Sequence, residues 1–346
     1  VTAGMSQIAL AGDSVYVNTS SLRYRTSAQI KDNNIAGNLS YGQKLERVGT
    51  SGQWTMILLN GKKYYVSSAY VTSKKPASAG AVQTTSQTAA GAQTSGGTAI
   101  ALSSNYKYAN YSKINSGTAT LYRSTASNKK NKVVCVNAGH GTNGGGSVKT
   151  QCHPDGSAKV TGGTTGAGAT SAVAVSSGMT FADGTAESKV TLAMAKVLKT
   201  KLLNAGYDVL MIRESDDVQL DNIARTVIAN NNADCHIALH WDSTSSNKGA
   251  FFMSVPSNAT YRAMEPVASH WKQHNQLGES LISGLKSAGV KIYSKGSMEM
   301  DLTQTSYSTI PSVDIELGDK ASDHSGATLE TLANGLLTGV NTFFGQ

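Results

Sequence analysis

Four side chains stand where chemistry can happen. His140 follows an apolar run in VNAGHGTNGGG, His240 closes CHIALH, Glu316 lies near the end of SVDIEL, and Glu187 opens a helical stretch in DGTAESKVTLAMA. In an open α/β sheet, ligands bind just beyond the carboxyl ends of the strands, which is where three of these four groups fall. Two histidines and a carboxylate arriving from separate elements supply a His₂Glu zinc site with a fourth tetrahedral position left for water, and a second carboxylate is then free to act as a base. A carboxylate in an apolar strand, as Glu316 is, pays a desolvation penalty unless a positive group pairs with it. Asp314 shares the strand face of Glu316 and could share that cation.

The elements that must position these groups are legible from about residue 131 to residue 346. Lys132–Val136 reads as a strand; Leu192, Ala193, Val197, Leu198 and Leu202 line a helix ended by Gly206; Tyr207–Arg213 is again a strand. Leu220, Ile223, Ala224, Val227 and Ile228 recur at helical spacing. Strands at Cys235–His240, Ala250–Val255 and Val313–Leu317 complete a sheet whose long apolar runs predict burial on both faces. Alternating strands and helices predict an α/β domain.

Upstream, residues 15–73 carry short alternating runs such as WTMILL and KKYYVSSAYV between turn residues, and predict a small all-β module. Asn60-Gly61 marks a hairpin, because both central positions of a type I′ turn need positive φ. Residues 74–104, rich in Ser, Thr, Ala and Gly, predict a flexible linker whose ~30 residues would separate their ends by roughly 30 Å. Residues 105–130 carry Tyr106, Tyr108, Tyr111 and Tyr122 without clear periodicity; they stay unassigned, with packing the expected role.

The chain has 346 residues, 39% of them hydrophobic and 15% charged, which excludes disorder throughout. A formal charge of +8 favours anionic partners without choosing among them, and the dispersal of Lys and Arg without interleaved aromatics argues against nucleic acid. The three cysteines, Cys135, Cys152 and Cys235, are too widely spaced for a CxxC metal site or a disulfide framework. Cys135 and Cys235 sit in apolar runs as small buried hydrophobes. No stretch approaches the roughly 20 apolar residues of a membrane span, and the chain opens at Val1 without a basic or hydrophobic leader, as a mature form would.

From residue 131 to the end, the chain resembles the zinc-dependent N-acetylmuramoyl-L-alanine amidases, hydrolases of the bacterial cell wall. Four motifs in order carry the resemblance: VVCVNAGHGT, AESKVTLAMAKVLKTKLLNAGYDVLMIRESDD, ARTVIANNNADCHIALH and TIPSVDIELG. The resemblance implies a mixed twisted sheet covered by helices, Zn²⁺ held by His140, Glu187 and His240, and Glu316 as catalytic acid-base. It further implies peptidoglycan as partner, cleavage of the bond between the lactyl group of N-acetylmuramic acid and L-alanine, and a secreted, extracellular or wall-associated location. The alternatives are a non-catalytic wall-binding protein that keeps the fold, and a zinc peptidase acting on stem peptides.

Three departures from the family pattern stand out. Asn137 replaces a frequent Asp, Asp319 follows Gly318 where an aromatic is common, and residues 141–185 form a long Gly/Ser/Thr-rich insertion holding Cys152, His153 and Asp155. A lid or substrate-shaping loop is the expected role of so long an insertion. His236 and His240, four apart on a strand, are separated by roughly 13 Å and cannot share a metal. His270 and His274 are expected to be an exposed helical pair. Residues 15–73 resemble a bacterial Src-homology-3-like barrel through VNTSSLRYR, GQWTMILLNGKKYYV and SSAYV, which implies anchoring to the wall.

Overall fold

The computed structural model describes residues 13–18, 21–29, 31–40, 42–75 and 96–346. The chain divides into two compact units, Val1–Ala89 and Ala90–Gln346.

The first unit is all-β. Strands β1 (Asp13–Val17), β2 (Ser21–Arg25), β3 (Ile35–Ser40), β4 (Lys44–Ser51), β5 (Trp54–Leu59), β6 (Lys62–Ser67) and β7 (Val71–Thr72) form a seven-stranded antiparallel sheet in the order β3-β2-β6-β5-β4-β1-β7. Alternating side chains from these strands bury Val15, Val17, Leu22, Leu39, Leu45, Ile57 and Val66 in one cluster. Between β5 and β6, Asn60 and Gly61 have φ of 50° and 75°, the signs that the hairpin predicted at this dipeptide requires.

The second unit is a mixed α/β fold. Its strands are β8 (Thr98–Ala101), β9 (Thr118–Tyr122), β10 (Val133–Ala138), the short pair β11 (Lys149–Gln151) and β12 (Ser171–Val173), then β13 (Asp208–Met211), β14 (Cys235–Asp242), β15 (Ala250–Ser254), β16 (Ile292–Glu299) and β17 (Ser312–Asp319). All but β11 and β12 join an eight-stranded sheet in the order β16-β15-β17-β14-β10-β13-β9-β8. Its centre, β17-β14-β10-β13, is parallel, and β15, β9 and β8 add antiparallel pairings.

Helices α1 (Glu187–Asn204), α2 (Asn222–Asn232), α3 (Ala259–Ala263), α4 (Val267–Ser287), α5 (Thr303–Tyr307) and α6 (Gly326–Phe344) flank the sheet. Because successive side chains of a strand face opposite ways, Val134, Val136 and Ala138 of β10 enter the core shared with α1, α4 and α6, while Cys135 enters the one shared with α2. Burial on both faces accounts for the near-continuous apolar runs of the sequence. Cys135 and Cys235 are fully buried free thiols, and burial pushes both well above the ordinary thiol range.

Two expectations change. Thr98–Ala101, placed by the sequence within the linker, is strand β8, paired with Thr118–Leu121; three small residues and Ile100 give too short an alternation to read. Residues 76–95 of that linker lie outside the described residues. The tyrosines of the unassigned stretch pack as expected: the rings of Tyr108 and Tyr111 lie 5.6 and 5.4 Å from that of Tyr307, over α2. The insertion after His140 is built, with β11 and β12 paired and Cys152 and His153 buried.

The second change is at α4. His274 is buried rather than exposed, accepting the Ser312 N–H at Nδ1 (3.1 Å), while His270 bonds the Pro266 carbonyl. Burial, with smaller repulsion from His270 and His236, lowers His274 to about 3. A folded-state value below the unfolded 6.5 means that stability is intact above pH 6.5 and is lost as pH falls toward 3, at about 1.4 kcal/mol per pH unit. His274→Asn, which keeps an acceptor for the Ser312 N–H, is expected to remove that share of the slope in urea unfolding between pH 6 and pH 4; an unchanged slope would count against a neutral buried imidazole.

Candidate metal centre

β10 delivers the chain into the turn Gly139-His140-Gly141. His140 has φ of 64°, a conformation that non-glycine residues adopt only when held there. Two buried arginines hold it. Arg225 of α2 places all its donors on fixed oxygens: the carbonyls of Leu220, Ala138 and His140, Asn137 Oδ1 and Thr142 Oγ1. Arg213, just past β13, donates to the carbonyls of Ala138, Gly139, Ser188 and Ser215. Burial lowers Arg225 to about 9 and Arg213 to about 10, so both remain cations near neutral pH.

Glu187 opens α1 with its carboxylate buried. Oε1 accepts the Trp241 N–H (3.0 Å) and Oε2 the Met179 N–H (2.9 Å), so two backbone groups fix its plane. His240 stands near the end of β14, in register with Glu316 on β17. The glycine before His140 is what lets His240 in, since a Cβ on Gly139 would lie 2.2 Å from His240 Cε1.

These elements bring three ligating atoms together. His140 Nε2 is 2.9 Å from Glu187 Oε2, His240 Nδ1 is 3.2 Å from Glu187 Oε1, and the two histidine nitrogens are 3.1 Å apart. His140 Nδ1 lies 2.8 Å from the Ser176 carbonyl, which can only accept; Nδ1 therefore carries the proton and Nε2 offers its lone pair. His240 Nε2 faces Asp314 Oδ2 at 3.5 Å, which orients the other ring the same way.

The electrostatics are those of a cation site. Burial works against charge on His240, but Asp314 and Glu187 outweigh it and push the imidazole up to about 10. Burial would raise Glu187 too, yet the bonds to His140 and His240 pull it far below the usual carboxylate range. Burial raises both Asp314 and Glu316, and the neighbouring Asp314 raises Glu316 further. Asp314 Oδ1 and Glu316 Oε2 are buried with no hydrogen-bond partner among the described residues. Two histidines and a carboxylate within 4.8 Å, beside two further carboxylates that each keep one unpartnered oxygen, fit a divalent zinc-type ion in charge and in donor chemistry.

All four chemically eligible residues, together with Asp314, line one cleft of about 510 Å³. The insertion forms part of its wall through Lys159, Gly163–Thr165 and Ser176–Met179. It is pinned from outside: His153 Nε2 lies 2.8 Å from Asp301 Oδ2, and Asp301 also accepts the Val160 N–H.

The chain carries the family model described as N-acetylmuramoyl-L-alanine amidase over residues 134–333, more than half its length. The chain belongs to the N-acetylmuramoyl-L-alanine amidase family. Among solved structures, the amidase of this name from Mycobacterium smegmatis has a TM-score of 0.51 at 18% identity, covering 63% of this chain and 99% of its own. That similarity establishes the shared mixed α/β fold. The Mycobacterium abscessus amidase (TM-score 0.48, 19% identity, 62% of this chain and 98% of its own) and one from Clostridium difficile 630 (0.45, 18%, 62% and 97%) are also similar. No curated protein matches the chain.

Asn137, the departure next to the amidase turn, accepts from Arg225 through Oδ1 and meets His236 Nε2 at 3.1 Å through Nδ2. His236 thus belongs to the support and lies apart from the three-donor cluster, as its spacing requires. Asp319 is buried and accepts the Ala321 N–H and the Thr244 hydroxyl, shaping the loop after β17.

Arg213, Arg225, Asp301 and Lys159 carry roles that the sequence did not disclose. A cation at the end of the apolar strand YDVLMIR, and another inside the apolar stripe of α2, were the available signals. A Cβ on Gly178 (φ of 82°) would lie 2.8 Å from His140 Cδ2 and 2.9 Å from Glu187 Oε2. Gly178→Ala is therefore expected to lower zinc affinity roughly 10- to 100-fold, the scale of displacing a ligand's support. Chelator competition checks this, with metal-free thermal unfolding reporting only the backbone strain of about 1 kcal/mol.

Proposed function

We propose that residues 131–346 hydrolyse the amide bond between N-acetylmuramic acid and the L-alanine of peptidoglycan stem peptides, with Zn²⁺ held by His140, Glu187 and His240. The observation that carries this reading is the convergence of those three donors beside Glu316, whose buried Oε2 lacks a partner. Membership of the amidase family supplies the bond type.

Zinc bound there supplies Lewis acidity, polarising the scissile carbonyl and making a water more acidic. The chain does the rest. Ser176 and Asp314 fix the faces that His140 and His240 present, and the Trp241 and Met179 N–H groups fix Glu187. Glu316 takes the proton of the attacking water and delivers it to the leaving nitrogen of L-alanine, so that the amine departs neutral. The Arg225 and Arg213 clamps keep the His140 turn from relaxing as the substrate enters.

Residues 15–73 act in this reading as a Src-homology-3-like barrel that holds the wall. The seven-stranded antiparallel pairing around a small apolar core supports it, as do the edge-on Tyr24 and Tyr64 rings 4.9 Å apart and the exposed Tyr70. The site of action is outside the cytoplasm, in or on the cell wall. No helix among the described residues is long and apolar enough to cross a membrane.

Digestion of purified peptidoglycan followed by mass spectrometry tests the assignment. Zinc-loaded wild type is expected to release stem peptides that begin at L-alanine, and a chelator to abolish the release. Glu316→Gln should keep its zinc and lose roughly 10²- to 10⁴-fold in rate. Peptides cut internally would replace the amidase by a peptidase, and an intact wall with full zinc occupancy would favour a binding protein. Co-sedimentation with insoluble wall is expected to weaken when residues 15–73 are removed, with the rate on soluble muramoyl peptide unchanged; equal sedimentation would leave the barrel a spacer.

A further inference from the structure

The cleft beside the three-donor cluster holds two cations, Lys159 and Arg225. All the donors of Arg225 are engaged by the chain itself. Those of Lys159 are not. Its ammonium donates to one acceptor, the Asp301 carbonyl, which leaves two N–H groups. The Asp301 carboxylate is already occupied by His153 Nε2 and the Val160 N–H, and Lys159 enters no ion pair among the described residues.

Lys159 is nonetheless only 8% exposed. Its backbone is fixed on both sides, since its N–H donates to the Ala169 carbonyl (2.9 Å) and its own carbonyl accepts the Gly168 N–H (2.8 Å). A buried ammonium with unengaged donors is costly unless an anion completes it. Lys159 lines the cleft that holds the three-donor cluster.

We propose that Lys159 is a specificity-determining residue that recognises a carboxylate on the peptide portion of the substrate, an inference that rests on the amidase reading above. Chemistry selects the peptide portion. The carboxyl group of muramic acid is consumed in the amide that is cut, and N-acetylated sugars are neutral, so the free carboxylates of a muramoyl peptide lie on its amino acids. The insertion thereby contributes a substrate contact as well as a wall.

The test compares a muramoyl peptide whose carboxyl groups are free with its fully amidated counterpart, using zinc-loaded wild type, Lys159→Met and Lys159→Arg. Wild type is expected to favour the free acid by roughly tenfold or more in kcat/KM, the scale of one hydrogen bond to a charged group, and mainly through KM. Lys159→Met should bring the ratio near one, and Lys159→Arg should keep part of the preference. A lysine that only props up Asp301 would slow both substrates alike and leave the ratio intact in Lys159→Met, which overturns the proposal. So does a wild-type ratio near one, whether or not Lys159→Met folds. Wall digestion in parallel separates the two readings: stem-peptide release with a ratio near one defeats this inference alone, and no release defeats the amidase reading along with it.

Discussion

The structure depends on a backbone turn that points its carbonyl oxygens into two buried guanidiniums. Ala138, Gly139 and His140 each give a carbonyl to Arg213, Arg225 or both. Left to itself, a residue at the φ of His140 relaxes toward ordinary backbone, and a guanidinium in the core costs several kcal/mol. Each offsets the other. The charge is spread over oxygens that cannot move away, and the turn is held in a conformation that aims Nε2 at Glu187.

The other three groups arrive by the ordinary logic of a parallel sheet. β14 and β17 run side by side, so residues in register, His240 and Glu316, reach the same edge together. α1 begins as the insertion ends, and its first residue, Glu187, sets its two carboxylate oxygens within 2.9 and 3.2 Å of the two histidines. Each donor thus sits on a packed element, and the three ligating atoms fall within 4.8 Å of one another.

Much of this was legible because strand ends are chemically conspicuous. A histidine after VVCVNA, another closing CHIALH and a glutamate inside SVDIEL are each costly where they stand, and the cost pointed to a shared cation. The all-β first unit was legible from alternation and from Asn60-Gly61. What escaped had no local signal. β8 is held by pairing with β9 and carries too few apolar residues to announce itself. Burial of His274 comes from α4 lying against β17, a tertiary contact invisible to helical periodicity. The insertion shows no periodicity from which its path could be read, and it is fastened by a histidine and an aspartate 148 residues apart in the chain.

That His153–Asp301 bond has a consequence for how such a protein can change over generations. The wall it fastens contains no donor of the three-atom cluster, and only its last residues, Ser176 and Met179, brace that cluster, alongside Arg213, Arg225 and Trp241. The part of the insertion before Ser176, residues 143–175, can therefore be exchanged, shortened or re-decorated provided the partner at Asp301 changes with it. Recognition is free to drift while the hydrolytic apparatus stays put, and the expected trace in related chains is paired variation at positions 153 and 301 against constancy at 213 and 225.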